Sequence, residues 1–284
     1  MTGTAIQAPV TEFATSKDGT RIAFERAGSG PVLVLVDGAL CSRAFGPARE
    51  VAAQLTDRFT VVIYDRRGRG ESSDIQPYAP QREFEDLAAV IDAATTAEST
   101  TAETGGGAFV MGQSSGAGIV YRAAAAGVPM RKLAGYEAPW VGLRAGRDGQ
   151  PRDYLGELHA LLAKGENGKA VGYFMVKMVG GPFFLPLMMR MMPKVWKQLQ
   201  AVATTLPYDA QVMGAQFLPP LEELATITVP SLVLCGGKSP ERMQTAQQTV
   251  ATAIPGARHG VLPGQTHQVS ATALAPVLAE FFSE

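Results

Sequence analysis

The chain has 284 residues, of which 46% are hydrophobic and 18% are charged, so it can bury a full core, which excludes an intrinsically disordered protein. Its 25 Lys and Arg residues balance 26 Asp and Glu residues, and the net charge of -1 provides no overall field to attract nucleic acid or an anionic membrane. Two cysteines, Cys41 and Cys235, are too few for a disulfide framework and lack the paired spacing of a zinc site. The N-terminus lacks the basic head and apolar run of a signal peptide. We therefore expect a cytoplasmic protein that binds no nucleic acid, membrane, metal or cofactor.

Alternating polar and apolar residues predict a hairpin formed by residues 11–15 and 21–25. After the hairpin, short apolar runs typical of strands buried on both faces alternate with segments of helical spacing. The predicted strands are 32–36, 61–64, 108–111, 132–136, 231–234 and 258–262. The predicted helices are 45–55, 82–94, 115–126, 241–254 and 271–282. The pattern predicts an α/β protein with a mostly parallel, eight-stranded sheet and helices on both faces.

The alternation of strands and helices stops between residues 141 and 221, where the sequence is helical, rich in Met, Pro and Gly, and contains no convincing strand. We therefore predict that the first part of the α/β core spans residues 1–140 and that a helical insertion spans 141–221. The second part of the core is predicted at 222–284.

A serine flanked by glycines directly follows the predicted strand 108–111, in the sequence GQSSG at residues 112–116. This context fits the motif G-x-S-x-G, in which glycines let a strand and a helix approach while a strained turn lifts the serine hydroxyl out of the sheet. Ser114 is the predicted nucleophile, because it has a glycine two positions away on both sides. Ser115 is the alternative within the same motif.

Three histidines are candidates for the general base. His159 lies in the predicted insertion, where an exposed polar face is the simpler explanation, and His259 begins a predicted strand. His267 follows the last predicted strand, so it lies at the C-terminal edge of the sheet together with Ser114. We therefore favour His267 over His259 as the base.

A second segment connects the sequence to a known family. Residues 64–72 read YDRRGRGES, which resembles the D-x-R-G-x-G-x-S segment after the fourth strand of α/β-hydrolase-fold proteins. Together with the motif at 112–116 and a histidine late in the chain, it makes nearly the whole sequence similar to capped small-molecule esterases and lactonases of that superfamily. The resemblance implies the α/β-hydrolase fold, with a helical cap formed by the insertion.

The resemblance also implies an oxyanion hole made of two backbone N–H groups. By position these belong to Ser115, which follows the nucleophile, and to Ala39, in the loop after the third strand. Amides are fixed neutral donors, and each is worth about 3 kcal/mol when it faces developing negative charge. Asp37 stands where the family usually has a histidine, and we expect its carboxylate to point away and bond to its own loop.

The third catalytic residue departs from the family pattern. The family places an aspartate after the seventh strand, but here residues 235–240 read CGGKSP and put Ser239 at that position. A hydroxyl cannot stabilise an imidazolium, and loss of the carboxylate typically costs about ten-thousandfold in rate. Glu137, at the end of the sixth strand, is the candidate replacement, with a carboxylate oxygen predicted within about 3.2 Å of the His267 imidazole. The alternative is that Glu137 only bonds a loop or caps a helix.

Two further groups of residues have more than one interpretation. Arg66, Arg67 and Arg69 could form a phosphate site, but we expect them to pair with the nearby acidic residues Asp65, Glu71 and Asp74. The methionines of the insertion could form its own core or, as the resemblance implies, an adaptable apolar wall over the nucleophile. They are Met175, Met178, Met188, Met189, Met191, Met192 and Met213.

Three functions follow from these residues. The first is a serine hydrolase that cleaves a small hydrophobic ester or lactone through an acyl-enzyme, using Ser114, His267 and Glu137. The second is a non-hydrolytic enzyme of the same fold, such as a lyase, acyltransferase or cyclase. The third is a non-catalytic protein that binds a small ligand, which the missing aspartate at Ser239 motivates.

Overall fold

The computed structural model describes residues 10–96, 107–142 and 152–284. Eight strands form one sheet in the order β1-β2-β4-β3-β5-β6-β7-β8. They are β1 (Glu12–Thr15), β2 (Arg21–Ala27), β3 (Val32–Val36), β4 (Thr60–Tyr64), β5 (Ala108–Gln113), β6 (Met130–Tyr136), β7 (Ser231–Gly236) and β8 (Arg258–Leu262). The first two pairings, β1 with β2 and β2 with β4, are antiparallel, and all the others are parallel. The predicted eight-stranded, mostly parallel sheet is confirmed.

The described residues also contain eleven α-helices, and those of the α/β core lie on both faces of the sheet. They are α1 (Ala48–Ala53), α2 (Pro80–Thr96), α3 (Ser115–Ala125), α4 (Tyr154–Leu162), α5 (Asn167–Tyr173), α6 (Leu185–Arg190), α7 (Pro193–Ala201), α8 (Leu206–Met213), α9 (Leu221–Leu224), α10 (Glu241–Ala253) and α11 (Ala271–Ser283). A π-helical turn at Phe174–Met178 continues α5, and a short 3₁₀ turn at Ala203–Thr205 precedes α8.

The central strands are buried because both faces of the sheet carry helices. Every residue of β3 and β4 is buried, as their unbroken apolar runs predict. One apolar core forms between the sheet and α2, α3 and α10, and a second lies on the opposite face against α1 and α11. The two cores hold the C-terminal ends of the parallel strands in fixed positions at one edge of the sheet.

One predicted helix starts later than its apolar spacing indicates. The sequence predicts a helix over 45–55, but α1 begins at Ala48. Phe45 instead pairs with Ser42 in a tight turn, and Gly46 and Pro47 separate that turn from the helix. Apolar spacing alone does not detect such a turn, because Phe45 keeps the spacing of a helical residue.

Helices α4 to α9 lie between β6 and β7 in the chain, and we call residues 152–224 the helical insertion. Part of it has its own apolar core, which includes Leu158, Val171 and Leu206. The boundaries predicted for it, 141–221, stay a prediction, and part of that range lies outside the described residues. Among the helices that the structure describes, none combines the length and apolar character required to cross a bilayer.

Candidate active site

Ser114 occupies the turn between β5 and α3, and its backbone is strained. Its φ of 58° and ψ of -128° lie in a region that residues with a side chain rarely adopt. The turn is held because the Ser114 N–H donates to the carbonyl of Tyr136 on the neighbouring strand, at 2.8 Å. The side chain therefore stands at the C-terminal edge of the sheet and lines a cavity below the helical insertion.

Three glycines leave the space that this turn needs. A Cβ on Gly112 would collide with the carbonyl oxygen of Gly116, and a Cβ on Gly116 would collide with that of Val36. A Cβ on Gly38, in the loop after β3, would lie 2.8 Å from the Cβ of Ser114. Backbone approaches this close admit glycine and no larger residue, so the glycines of the G-x-S-x-G motif have a direct steric reason.

His267 lies beside Ser114, in the loop between β8 and α11. Its Nε2 is 3.1 Å from the hydroxyl oxygen of Ser114, and 39% of its side chain is exposed. The Gln113 amide donates to the His267 carbonyl at 3.3 Å, and Tyr136 donates its hydroxyl to the preceding carbonyl of Thr266 at 2.5 Å. These two bonds fix the histidine loop to the strands that carry Ser114 and Glu137.

Glu137 lies on the other side of the imidazole. Its Oε2 is 2.8 Å from His267 Nδ1, and its Oε1 accepts a bond from the Gly236 N–H at 2.8 Å. The side chain has no exposed surface (0%) and its backbone has a φ of 50°. Because a carboxylate only accepts hydrogen bonds, Nδ1 carries the proton and Nε2 is left to accept the Ser114 hydroxyl.

The carboxyl group of Glu137 is kept ionised in spite of its burial. Burial by itself raises the pKa of Glu137, but its contacts with His267, with the Ser239 side chain and with the Gly236 N–H together lower it below its ordinary value. Ser239, at the position where the family has an aspartate, is buried next to this carboxylate. The structure thus brings the vacant position and the candidate replacement together at one end of β6 and β7.

The two other histidines lie away from Ser114, and both are exposed. His159 is on α4, in agreement with the exposed polar face expected for it. The Nε2 of His259 is 3.7 Å from the sulfur of Cys235. Within ranges 10–96, 107–142 and 152–284, no group of three or more His, Cys, Asp or Glu side chains is arranged to hold a metal ion.

Ala39 and Ser115, the predicted oxyanion residues, line the same cavity as Ser114 and His267. The Asp37 carboxylate lies against its own loop, beside Gly46, and is absent from the cavity lining, as expected. It accepts a bond from the backbone of Ala48 at the start of α1. Burial raises the pKa of Asp37 to about 7, although that bond and the positive charges of Arg69 and Arg66 act in the opposite direction.

The walls of the cavity are mainly apolar, and both the insertion and the α/β core contribute to them. Of the predicted methionines, Met178 and Met213 line it, together with the aromatic residues Tyr154, Phe174 and Phe217. The core contributes one methionine that sequence analysis missed, Met243 on α10. The remaining predicted methionines have other environments: Met175 and Met189 pack on the core of the insertion, and Met188, Met191 and Met192 are exposed.

The arginines after β4 pair internally, as expected, but with other partners than predicted. Arg67 binds both oxygens of Asp86, at 2.7 Å each. Arg66 and Arg69 both reach Asp209 of α8, at 2.7 and 2.8 Å. The acidic residues nearby in sequence have other partners, since Asp65 and Glu71 bind Arg43 and Asp74 accepts a bond from Tyr208.

The fold and the comparison with known proteins agree on the class of protein. The sheet order, the serine between β5 and α3 and the helices on both faces define the α/β-hydrolase fold. Residues 29–273 match the model of the Alpha/beta hydrolase family, and the chain belongs to that family.

Several solved structures are similar to the chain. An alpha/beta hydrolase from Sphaerobacter thermophilus DSM 20745 is 47% identical with a TM-score of 0.83, and the match covers 95% of this chain and all (100%) of that one. An enol-lactonase from Burkholderia xenovorans LB400 is 20% identical, with a TM-score of 0.69 and coverage of 96% and 100%. An esterase from Rhodococcus sp. ECU1013 is 21% identical, with a TM-score of 0.65 and coverage of 96% and 98%. The last two show the fold alone.

Proposed function

We propose that the protein is a serine hydrolase that cleaves a small hydrophobic ester or lactone through an acyl-enzyme. The observation that carries the proposal is the continuous chain of contacts from the Ser114 hydroxyl through both nitrogens of His267 to Glu137, at 3.1 and 2.8 Å. A nucleophile, a base and a group that orients the base are the three components that acyl transfer requires. Membership of a hydrolase family supports the same reaction class.

In the proposed first step, the Ser114 oxygen attacks the ester carbonyl while His267 Nε2 takes the hydroxyl proton. Glu137 stabilises the imidazolium through Nδ1, and the N–H groups of Ala39 and Ser115 hold the negative charge on the former carbonyl oxygen. His267 then returns the proton to the leaving alcohol. Water, activated by the same histidine, releases the acid in the second step, and Ser114 regains its proton.

A fluorophosphonate probe tests whether Ser114 is an activated nucleophile. We expect stoichiometric labelling of the folded protein at Ser114, because Nε2 is placed to accept its proton, and no labelling of Ser114→Ala. Ser115→Ala is the matched control, since it removes the neighbouring hydroxyl but keeps the backbone amide, and it should still be labelled. Mass spectrometry of the peptide locates the adduct.

The labelling experiment also separates the competing functions. A folded protein that resists the probe favours the non-catalytic ligand-binding protein and contradicts the hydrolase. A labelled protein that releases no acid from an ester, but transfers its acyl group to another acceptor, favours the non-hydrolytic enzyme of the same fold. Among the residues that the structure describes, no contact in the site favours either alternative over hydrolysis.

The acyl preference follows from the walls of the cavity. Among esters with one leaving group, kcat/KM should rise as the acyl chain gains methylenes, each worth up to about 0.8 kcal/mol when it is buried. The apolar side chains of Phe174, Met178 and Met213 supply the contact. Initial rates over a series from acetate to hexanoate measure the trend. Arg242 is the one cationic residue among the described residues that line the cavity. A preference for a dicarboxylate monoester over these esters would therefore contradict an apolar acyl preference.

A further inference from the structure

Both predicted oxyanion residues are connected to one buried group of charges, which we call the oxyanion support and define as Arg66, Arg69 and Asp209. These three side chains are at most 2% exposed. Asp209 comes from α8 in the insertion, and the two arginines come from the loop after β4. Both cations bind Asp209, at 2.7 and 2.8 Å, so the three form one continuous network.

Arg69 holds the loop that carries Ala39. Its Nη1 donates to the carbonyl of Gly38 at 2.6 Å and to the carbonyl of Cys41 at 3.2 Å. Between these two carbonyls lies Leu40, whose φ of 62° is unfavourable for a branched side chain. Such a conformation persists only when its surroundings fix it, and the two bonds from Arg69 provide that constraint.

The bond to Gly38 also determines where the Ala39 N–H points. The Gly38 carbonyl and the Ala39 N–H belong to the same peptide unit, which is planar and trans, so the two groups point in opposite directions. With its oxygen held by Arg69 in the interior, the peptide unit directs its N–H away from the arginine, and Ala39 lines the cavity. A cation on the carbonyl also polarises the peptide, which makes its N–H a stronger donor.

Asp209 connects the second oxyanion residue to the same network. The Ser115 hydroxyl donates to Asp209 Oδ1 at 2.7 Å, the oxygen that also accepts from Arg66. The other oxygen, Oδ2, accepts from Arg69. Burial acts to raise the pKa of Asp209, but the charges of Arg66 and Arg69 and the bond from Ser115 lower it, so the acceptor stays ionised.

We infer that Arg69 and Asp209 are positioning residues for the oxyanion hole. Arg69 fixes the Ala39 amide through Gly38, and Asp209 holds the side chains of Arg69 and Ser115 in place. The inference rests on the proposed hydrolase function. It assigns a role in catalysis to Asp209 of the insertion, which lines the cavity and acts through its bonds to Arg69 and Ser115. It also gives a role to the two buried arginines that bind Asp209, whereas Arg67, which lies between them in the sequence, binds Asp86 and Asp18.

Arg69→Lys tests the inference, because lysine keeps the charge but its single nitrogen cannot replace the four bonds that the guanidinium makes to Gly38, Cys41, Asp209 and Thr205. We expect kcat for a short aryl ester to fall by about tenfold to a hundredfold, with KM within about threefold, since displacing one oxyanion donor costs part of the effect of deleting it. Arg67→Lys is the matched control, a neighbouring buried arginine without contact to the oxyanion loop. It should lower the melting temperature and leave kcat within about twofold.

An aryl trifluoromethyl ketone gives a readout that a purely structural role would not move. It forms a bond between its carbonyl carbon and the Ser114 oxygen, the serine proton moves to His267, and the carbonyl electrons become an oxyanion. Its inhibition constant should rise in Arg69→Lys by the same factor as kcat falls, because both depend on the same two amides. The inhibition constant of the corresponding alcohol, which forms no oxyanion, should stay unchanged.

The outcomes separate the inference from the function on which it rests. If the wild type neither cleaves esters nor binds the ketone, the proposed function is wrong. If the wild type does both, the positioning role is wrong in either of two cases. In the first, Arg69→Lys has the kcat and the ketone inhibition constant of the wild type; in the second, Arg67→Lys lowers kcat as much as Arg69→Lys does. If Arg69→Lys does not fold, Ser115→Ala provides the test, since it removes only one hydroxyl. We expect kcat and the affinity for the ketone both to fall by about threefold to tenfold. An unchanged kcat would overturn the inference.

Discussion

Replacing Ser114 with Ala should abolish ester hydrolysis while leaving the fold intact. Loss of the nucleophile of a triad typically costs on the order of a millionfold in kcat, because the base then has no group to activate. The melting temperature should change little, since Ser114 is only half-buried and alanine tolerates the positive φ of the turn about as well as serine does. Initial rates with a short aryl ester and a thermal melt give both quantities.

Ser115→Ala is again the matched control, because it removes a hydroxyl one residue away from the same turn. It should retain measurable turnover under conditions in which Ser114→Ala has none. A Ser114→Ala variant that keeps more than about a tenth of wild-type activity would show that another residue carries the reaction, since no remaining part of a triad supplies that much. Ser115 would then be the first residue to examine.

The fold could be predicted because its signals are local. A buried parallel strand is a short unbroken apolar run, and β3 and β7 each appear in the sequence close to where the structure has them. The turn at Ser114 was predictable for the same reason, because its glycines lie within two residues of the serine. The late start of α1 was not, because a tight turn before Ala48 keeps Phe45 at an apparently helical spacing.

The partners of the arginines could not be predicted, because they lie far away in the chain. Asp209 is separated from Arg69 by 140 residues and lies in another part of the fold. Proximity in sequence favoured Asp65, Glu71 and Asp74, but a residue beside an arginine in a loop need not face it. Long-range pairing in the site is predictable only where strand ends or a missing residue indicate it: His267 and Ser114 both follow parallel strands, and the serine at position 239 requires a carboxylate from elsewhere, which Glu137 can supply.

Glu137→Gln should lower kcat by about a hundredfold to ten-thousandfold, which is the second largest effect that we expect. The carbonyl oxygen of the new side chain can still accept the bond from the Gly236 N–H, and its amide nitrogen then faces His267 Nδ1. An amide nitrogen donates, so the imidazole must place its proton on Nε2, where it can no longer accept the Ser114 proton. The loss thus combines a wrong tautomer with an unstabilised imidazolium.

Ser239 allows a sharper version of this experiment, because it is buried beside the Glu137 carboxylate. In the wild-type background, Ser239→Asp should lower activity, since a second carboxylate next to the first raises the pKa of the pair and favours a shared proton. In the Glu137→Gln background the same substitution should restore part of the lost rate, because it supplies the missing negative charge from the end of β7. Steady-state kcat of the wild type, both single variants and the double variant completes the cycle.

One outcome would contradict the role of Glu137. If Glu137→Gln lowers kcat by less than about threefold and Ser239→Asp alone raises it, the protein works with Ser114 and His267 only, and Glu137 serves to hold the Gly236 loop.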